Sequence, residues 1–309
     1  MEESDESSAH AGGKTVWDTV KVWAAAVRPF TFPCTLVPLL IATAGAAPVE
    51  RWRWDVFGVS IVAVLALHVA ANLLNDYFDY AAGVDTEADA DQPGQSITKG
   101  HLRPRQVLHG VLTALGAAAL TAAYLTWRVG PLVPAFYAFG LFGLYAYTGP
   151  PFRLKAHALG EAAMVVWFGT APVAAVAYVQ VERFPPLLMV MSVPIGFLTA
   201  AILVGNNLRD ARGDAAAGVR TLAHVAGERA TRWVYVFFVI GAPAGISAVG
   251  VAAGVPLLAL TLLALLPMAG PIRSVLKGRR LPDIDARTAR LPVGVGLIAT
   301  AVLLWSGGL

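Results

Sequence analysis

Trp54-Asp-Val-Phe-Gly-Val-Ser-Ile-Val-Ala-Val-Leu-Ala-Leu-His68-Val-Ala-Ala-Asn72-Leu-Leu-Asn75-Asp76-Tyr-Phe-Asp79 is an apolar run that ends in amides and carboxylates. The part from 54 to 78 is long enough for a helix to cross a hydrocarbon core about 30 Å thick. Within its end, Asn72, Asn75, Asp76 and Asp79 fall at i, i+3, i+4 and i+7, so a helix gathers them on one face. A carboxylate at membrane depth is costly, and its default meaning is a site. A second stretch repeats the arrangement. In Ala201-Ile-Leu-Val-Gly-Asn206-Asn207-Leu-Arg209-Asp210-Ala-Arg-Gly-Asp214, the residues Asn206, Asp210 and Asp214 are spaced i, i+4 and i+8.

The rest of the chain agrees with a membrane setting. Of its 309 residues 57% are hydrophobic and only 14% charged, where a soluble domain carries about a quarter. Mean hydropathy is +0.62. Apolar stretches lie near 29–49, 54–78, 105–127, 131–149, 158–179, 186–207, 232–252, 254–272 and 291–307. These predict an all-α polytopic protein of nine transmembrane helices, with one membrane-embedded domain over 14–309 behind a disordered acidic tail over 1–13. The single cysteine, Cys34, excludes an internal disulfide and reads as a small core residue.

Charge placement orients the bundle. With the N-terminus inside, 19 of the 23 Lys and Arg fall on the cytoplasmic side, and only Arg51, Arg53, Arg128 and Arg183 fall outside. The expectation is N-in and C-out, in the cell membrane, with both acidic clusters at the cytoplasmic face. The third basic loop there, Tyr147-Thr-Gly-Pro-Pro-Phe-Arg153-Leu-Lys155, breaks its helix at Gly149-Pro150-Pro151.

Two acidic faces without nearby His or Cys suit a hard cation that keeps part of its water and bridges phosphate oxygens. That points to Mg²⁺ and a diphosphate. Asn75, Asp79, Asp210 and Asp214 are the expected metal ligands. Asp79, Asp210 and Arg153 are expected to carry the chemistry. Asn72, Asn75, Asp76, Lys99, Tyr147, Lys155, Asn206 and Arg209 are expected against the substrate. Tyr77, Phe78, Tyr145, Tyr147 and Phe152 could shield an allylic cation with their π faces. Glu87, Asp89 and Asp91 read as loop solvation, and His68 as a satisfied polar neighbour. His101, His157 and His224 have no metal-set spacing, and Tyr178 and Gln180 read as an outer interface anchor. The competing reading is a cation or proton transporter, which needs polar groups through the outer halves of the helices; few occur there. The bilayer is an expected partner, nucleic acid is not, and oligomeric state stays open.

Further markers are Arg28-Pro29-Phe-Thr-Phe-Pro33, Asn75-Asp76-Tyr-Phe-Asp79-Tyr-Ala-Ala-Gly83-Val-Asp85-Thr86, Tyr147-Thr-Gly149-Pro-Pro-Phe-Arg153 and Gly160-Glu161. After them come Asn206-Asn207-Leu-Arg209-Asp210, then Asp214, Gly218 and Thr221-Leu222-Ala223. In this order the chain resembles the UbiA superfamily of intramembrane prenyltransferases, and within it the branch that prenylates 1,4-dihydroxy-2-naphthoate. The resemblance implies a nine-helix bundle whose cytoplasmic loops cap a Mg²⁺-dependent site. It implies diphosphate–Mg²⁺ roles for Asn75, Asp79, Asp210 and Asp214, and a place near the diphosphate for Arg153. It also implies a polyprenyl diphosphate donor and a quinone-precursor acceptor, attacked at the ring carbon that then loses CO₂, giving demethylmenaquinol in menaquinone biosynthesis. One departure stands out. The branch carries a Gly-Pro-x-Arg-like stretch after the first motif, whereas Asp91-Gln-Pro-Gly-Gln-Ser-Ile-Thr-Lys99-Gly100 has no Arg there. Lys99 offers the charge without the bidentate fork. A different phenolic or lipid acceptor is therefore the alternative.

Overall fold

The structure is a computed structural model that describes residues 15–84, 95–216 and 218–309, with the side chains of 212–216 outside the description. The expected tail over 1–13, the acids Asp85, Glu87, Asp89 and Asp91, and the side chain of Asp214 lie outside the described residues.

Helices make up the whole described architecture, with no strand among the described residues. In chain order they are α1 Val16–Val27, α2 Pro33–Ala46, α3 Trp54–Ala81, α4 Pro104–Val129 and α5 Val133–Thr148. Then follow α6 Gly160–Val181, α7 Pro186–Ala216, α8 Glu228–Ala252, α9 Pro256–Leu276 and α10 Ile284–Ser306. Pro33, Pro104, Pro134 and Pro256 sit in first turns, where the missing N–H costs nothing. Each of the nine apolar stretches overlaps a described helix. Seven of the described helices are long and apolar enough to cross a bilayer, and the pair Val16–Thr31 with Pro33–Ala46, bent by 46°, would make an eighth if it is one span. At 14 residues α2 is short of the ~20 a straight crossing needs, and so is α5 at 16.

The main core joins α2, α6, α7, α8, α9 and α10 around Leu39, Met191, Ile195, Tyr235 and Val295. In a bilayer helices gain from close approach rather than from hydrophobic burial. Gly169 of α6 faces Gly196 of α7 so closely that a Cβ on Gly169 would lie 2.5 Å from the Gly196 Cα. At that seam α6 makes a wider π turn over Val166–Thr170. A smaller core ties α1, α3 and α4 to the 95–102 turn through Ala26, Leu73, Ile97 and Val107.

At the end of the bundle opposite the acidic clusters, Arg53 pairs with Glu182 at 2.8 Å and Arg128 with Asp55 at 2.5 Å. Two of the four basic residues expected outside are thus neutralised by local carboxylates. Gln180 differs from the expected interface anchor. It is 4% exposed, and its Oε1 accepts the Arg53 backbone N–H that opens α3. An orphan N–H at a helix start is the cause.

Candidate active site

A large cavity, about 510 Å³, runs between α2, α3, α5, α6 and α7. Its wall on α3 is one helical face, with Ser60, Val64, His68, Asn72, Asn75 and Asp79 recurring every three or four residues. Thr199, Leu203, Asn206 and Asp210 do the same on α7. The two motif faces therefore meet across one space. Its polar end holds Asn72, Asn75, Asp79, Lys155, Asn206, Arg209 and Asp210, and its remaining walls are mostly apolar and aromatic.

Each acid at the polar end is met by a cation. Lys155 Nζ donates to Asp79 at 2.5 Å and to Asn75 Oδ1 at 2.9 Å. Arg209 grips Asp210 bidentately, Nε and Nη2 each donating at 2.7 Å. Its Nη1 reaches Asp285 at 2.5 Å. These are charge-assisted contacts, the strong class of hydrogen bond. Just beneath, Asn207 Nδ2 donates to Glu161 at 2.7 Å, both residues buried, and ties the start of α6 to α7.

Not every expected residue faces the cavity. Asp76 is a helical step of about 100° from Asn75 and leaves the shared face. It is 1% exposed and absent from the cavity lining; it accepts the Ser96 N–H at 2.9 Å and lies 3.8 Å from Arg28. Its position is that of a pin between α3, the α1–α2 joint and the 95–100 turn. Lys99, on that turn, lies off the cavity wall. Arg153 does so too, in a left-handed conformation (φ 42°) whose carbonyl faces His157 Nδ1. Of the aromatic residues expected to shield a cation, only Tyr147 lines the cavity. Tyr145 packs on Phe78 and donates to the Pro150 carbonyl, and Phe152 packs on Phe142. Phe136, Phe139, Trp167 and Phe168 line it instead.

His68 is a satisfied polar neighbour, as expected of a histidine within a helix. Thr31 donates its hydroxyl to the Arg28 carbonyl at 2.8 Å, so it accepts from His68 Nε2 at 2.9 Å and, more distantly, from Asn72 Nδ2 at 3.3 Å. The other ring nitrogen then accepts from Thr35. This network also sends Asn72 Nδ2 to the Val27 carbonyl at 2.8 Å, locking the α1–α2 joint onto α3. Asn72 thus spends its donor on structure.

Asp285 and the Glu161–Asn207 pair escaped the sequence reading as site residues. Asp285 stands two after Asp283 at the head of α10, where acids are read as helix-end residues. The two diverge in space. Asp283 turns to Arg287, whose guanidinium holds that carboxyl below its usual range, while Asp285 lines the cavity.

The donors facing the polar end are hard oxygens, which fit Mg²⁺. They belong to Asn75, Asp79, Asp210 and Asn206, whose buried Oδ1 has no hydrogen-bond partner among the described residues. No three His, Cys, Asp or Glu side chains converge as a metal set among the described residues. Metal would be shared between two helices and a phosphate rather than caged by protein alone.

Comparison with known proteins agrees with this geometry. The sequence pattern of the UbiA prenyltransferase family matches residues 31–305. The chain is 31% identical to 1,4-dihydroxy-2-naphthoate octaprenyltransferase of Mycobacterium tuberculosis, over 93% of this chain and 98% of that one. It is 31% identical to UbiA prenyltransferase domain-containing protein 1 of Danio rerio, over 88% and 80%. In fold it resembles a UbiA homolog from Archaeoglobus fulgidus solved with GPP and Mg²⁺. The TM-score is 0.67 at 15% identity, covering 91% of this chain and 99% of the other. With the family pattern spanning both motifs and nearly every helix, this membrane protein belongs to the UbiA prenyltransferase family.

Proposed function

We propose that this prenyltransferase moves a polyprenyl group from polyprenyl diphosphate to 1,4-dihydroxy-2-naphthoate, with Mg²⁺ at the site and loss of CO₂, giving demethylmenaquinol. The observation that carries the reading is the meeting of Asp79 and Asp210, from two distant motifs, at the polar end of one cavity with apolar and aromatic walls. The identity to naphthoate octaprenyltransferases along nearly the whole chain supports the acceptor.

Asn75, Asp79, Asn206 and Asp210 would hold the metal, with Asp214 completing the second motif. Bound Mg²⁺ supplies positive charge to the departing diphosphate oxygens. Lys155 and Arg209 turn from the carboxylates to those same oxygens and bind the diphosphate as its C–O bond breaks. The electron pair leaves with the diphosphate. Tyr147, Trp167 and Phe168 exclude water from the allylic carbon and present π faces to it. The ring carbon bearing the carboxylate then forms the new C–C bond, and the pair from the breaking C–CO₂ bond restores the aromatic ring. No net proton transfer is needed for that step.

The protein is oriented N-in and C-out across the cell membrane by nine segments, with 14–309 as one embedded domain. The distribution of Lys and Arg supports this orientation, with the polar end of the cavity on the cytoplasmic side. The deciding experiment is a membrane-fraction assay with Mg²⁺, labelled polyprenyl diphosphate and the naphthoate. A prenylated, decarboxylated quinol with matching CO₂ is expected. Folded protein that binds the diphosphate but makes no such product overturns the acceptor assignment.

A further inference from the structure

Arg209 is shared by two carboxylates of different character. Asp210 lies on the cavity face of α7 and gives both its oxygens to the guanidinium. Asp285 gives one oxygen, Oδ2, while its Oδ1 accepts the Ala286 backbone N–H at 2.8 Å. That second bond fixes Asp285 in the first turn of α10, where the helix dipole also favours a negative charge. Asp210 oxygens that held a metal ion would no longer be free to hold the Arg209 fork. Without another hold, a guanidinium with a long flexible stem would be lost from the cavity.

We infer that Asp285 is a positioning residue that keeps Arg209 in the cavity when Asp210 turns to metal, so that the freed N–H groups meet the diphosphate. The guanidinium has five N–H donors, and the structure commits one to Asp285. Rotation about that anchor frees the two donors that now face Asp210. The inference rests on the proposed diphosphate donor.

The test uses purified full-length protein in nanodiscs, titrated with the unreactive S-thiolo analogue of geranyl diphosphate and Mg²⁺ by calorimetry. Asp285→Asn should weaken analogue binding on the order of tenfold, the scale of one charge-assisted contact. Asp285→Ser provides a second neutral variant should the first fold poorly, and Asp285→Glu should recover most of the affinity. Arg209→Met with Asp285→Asn should bind no worse than Arg209→Met alone, since the two residues act as a unit. A purely structural Asp285 would instead add its loss to that of Arg209. Wild-type affinity in both neutral variants, or additive losses in the double variant, overturns the inference while leaving the functional reading intact. A wild-type protein that binds no prenyl diphosphate analogue overturns both.

Discussion

Lys155 Nζ lies 2.5 Å from the Asp79 carboxylate and 2.9 Å from Asn75 Oδ1, joining a loop to a helix end 76 and 80 residues earlier. The loop after α5 therefore closes onto the first motif. Truncation to Lys155→Met removes a charge that neutralises Asp79 and that the proposed reaction uses to bind the diphosphate. The Michaelis constant for donor should rise about tenfold to a hundredfold, the scale of one lost charged hydrogen bond. Lys155→Arg, which keeps the charge, should lose less. Steady-state kinetics at saturating acceptor would separate the two.

Asp76 and Asp79 are neighbours on α3 with different partners, and their neutral variants should part accordingly. Asp79→Asn, like Asp210→Asn, should cost at least about a hundredfold in transfer rate while the protein stays folded. Asp76→Asn should cost about 1–3 kcal/mol of stability, because the Ser96 N–H and Arg28 lose a charged partner. Thermal melts beside activity assays would decide. Loss of transfer in Asp76→Asn at an unchanged melting temperature would argue against its placement as a pin.

The Gly169–Gly196 contact leaves no room for a methyl group, since the added Cβ would meet backbone rather than a movable side chain. Gly169→Ala should destabilise the bundle by about 1–3 kcal/mol. Gly116, whose added Cβ meets nothing within 4 Å, is the matched control, and Gly116→Ala should be tolerated. Differential scanning fluorimetry of both variants in one detergent would measure the gap.

Orientation can be read with introduced thiols, because the only native cysteine, Cys34, is buried. Arg279→Cys should react with a membrane-impermeant maleimide only from the cytoplasmic side, and Arg183→Cys only from outside. Labelling of both from one side would contradict the N-in, C-out arrangement.

Much of the site was legible in the sequence because it is written in helical spacing. Asn75 and Asp79, and Asn206 and Asp210, reach one cavity by a period that any reader can count. Asp76 shows the limit of counting: one further residue turned it from cavity to packing, and only the docked 95–100 turn reveals that. Arg153 and Lys155 are two apart on a loop, where no period tells which side chain turns inward. Asp285 joins the site through a contact 76 residues distant, which local pattern cannot carry. The all-helical membrane character was legible, whereas the nine expected spans meet seven described helices of crossing length, or eight if the bent pair is one span, because α2 and α5 are shorter than the apolar stretches they lie in.

The wider turn at Val166–Thr170 has a consequence for phase. Along α6 the cavity is met by Ala163 and Met164, Trp167 and Phe168, Ala171 and Pro172, Ala175 and Val176, and finally Val179. These rows advance by four residues, and each such step in an ordinary α-helix overshoots by about 40°. Four steps would carry the last row nearly to the opposite side. The π turn absorbs one residue, worth about 100°, and so keeps a single stripe on the cavity from end to end. Deleting one residue between 166 and 170 would turn the π turn into ordinary α-helix and leave both halves of the stripe on the cavity, whereas inserting one more would swing Pro172 through Val179 away by about 100°. The floor of the cavity would then be lost with its polar end untouched.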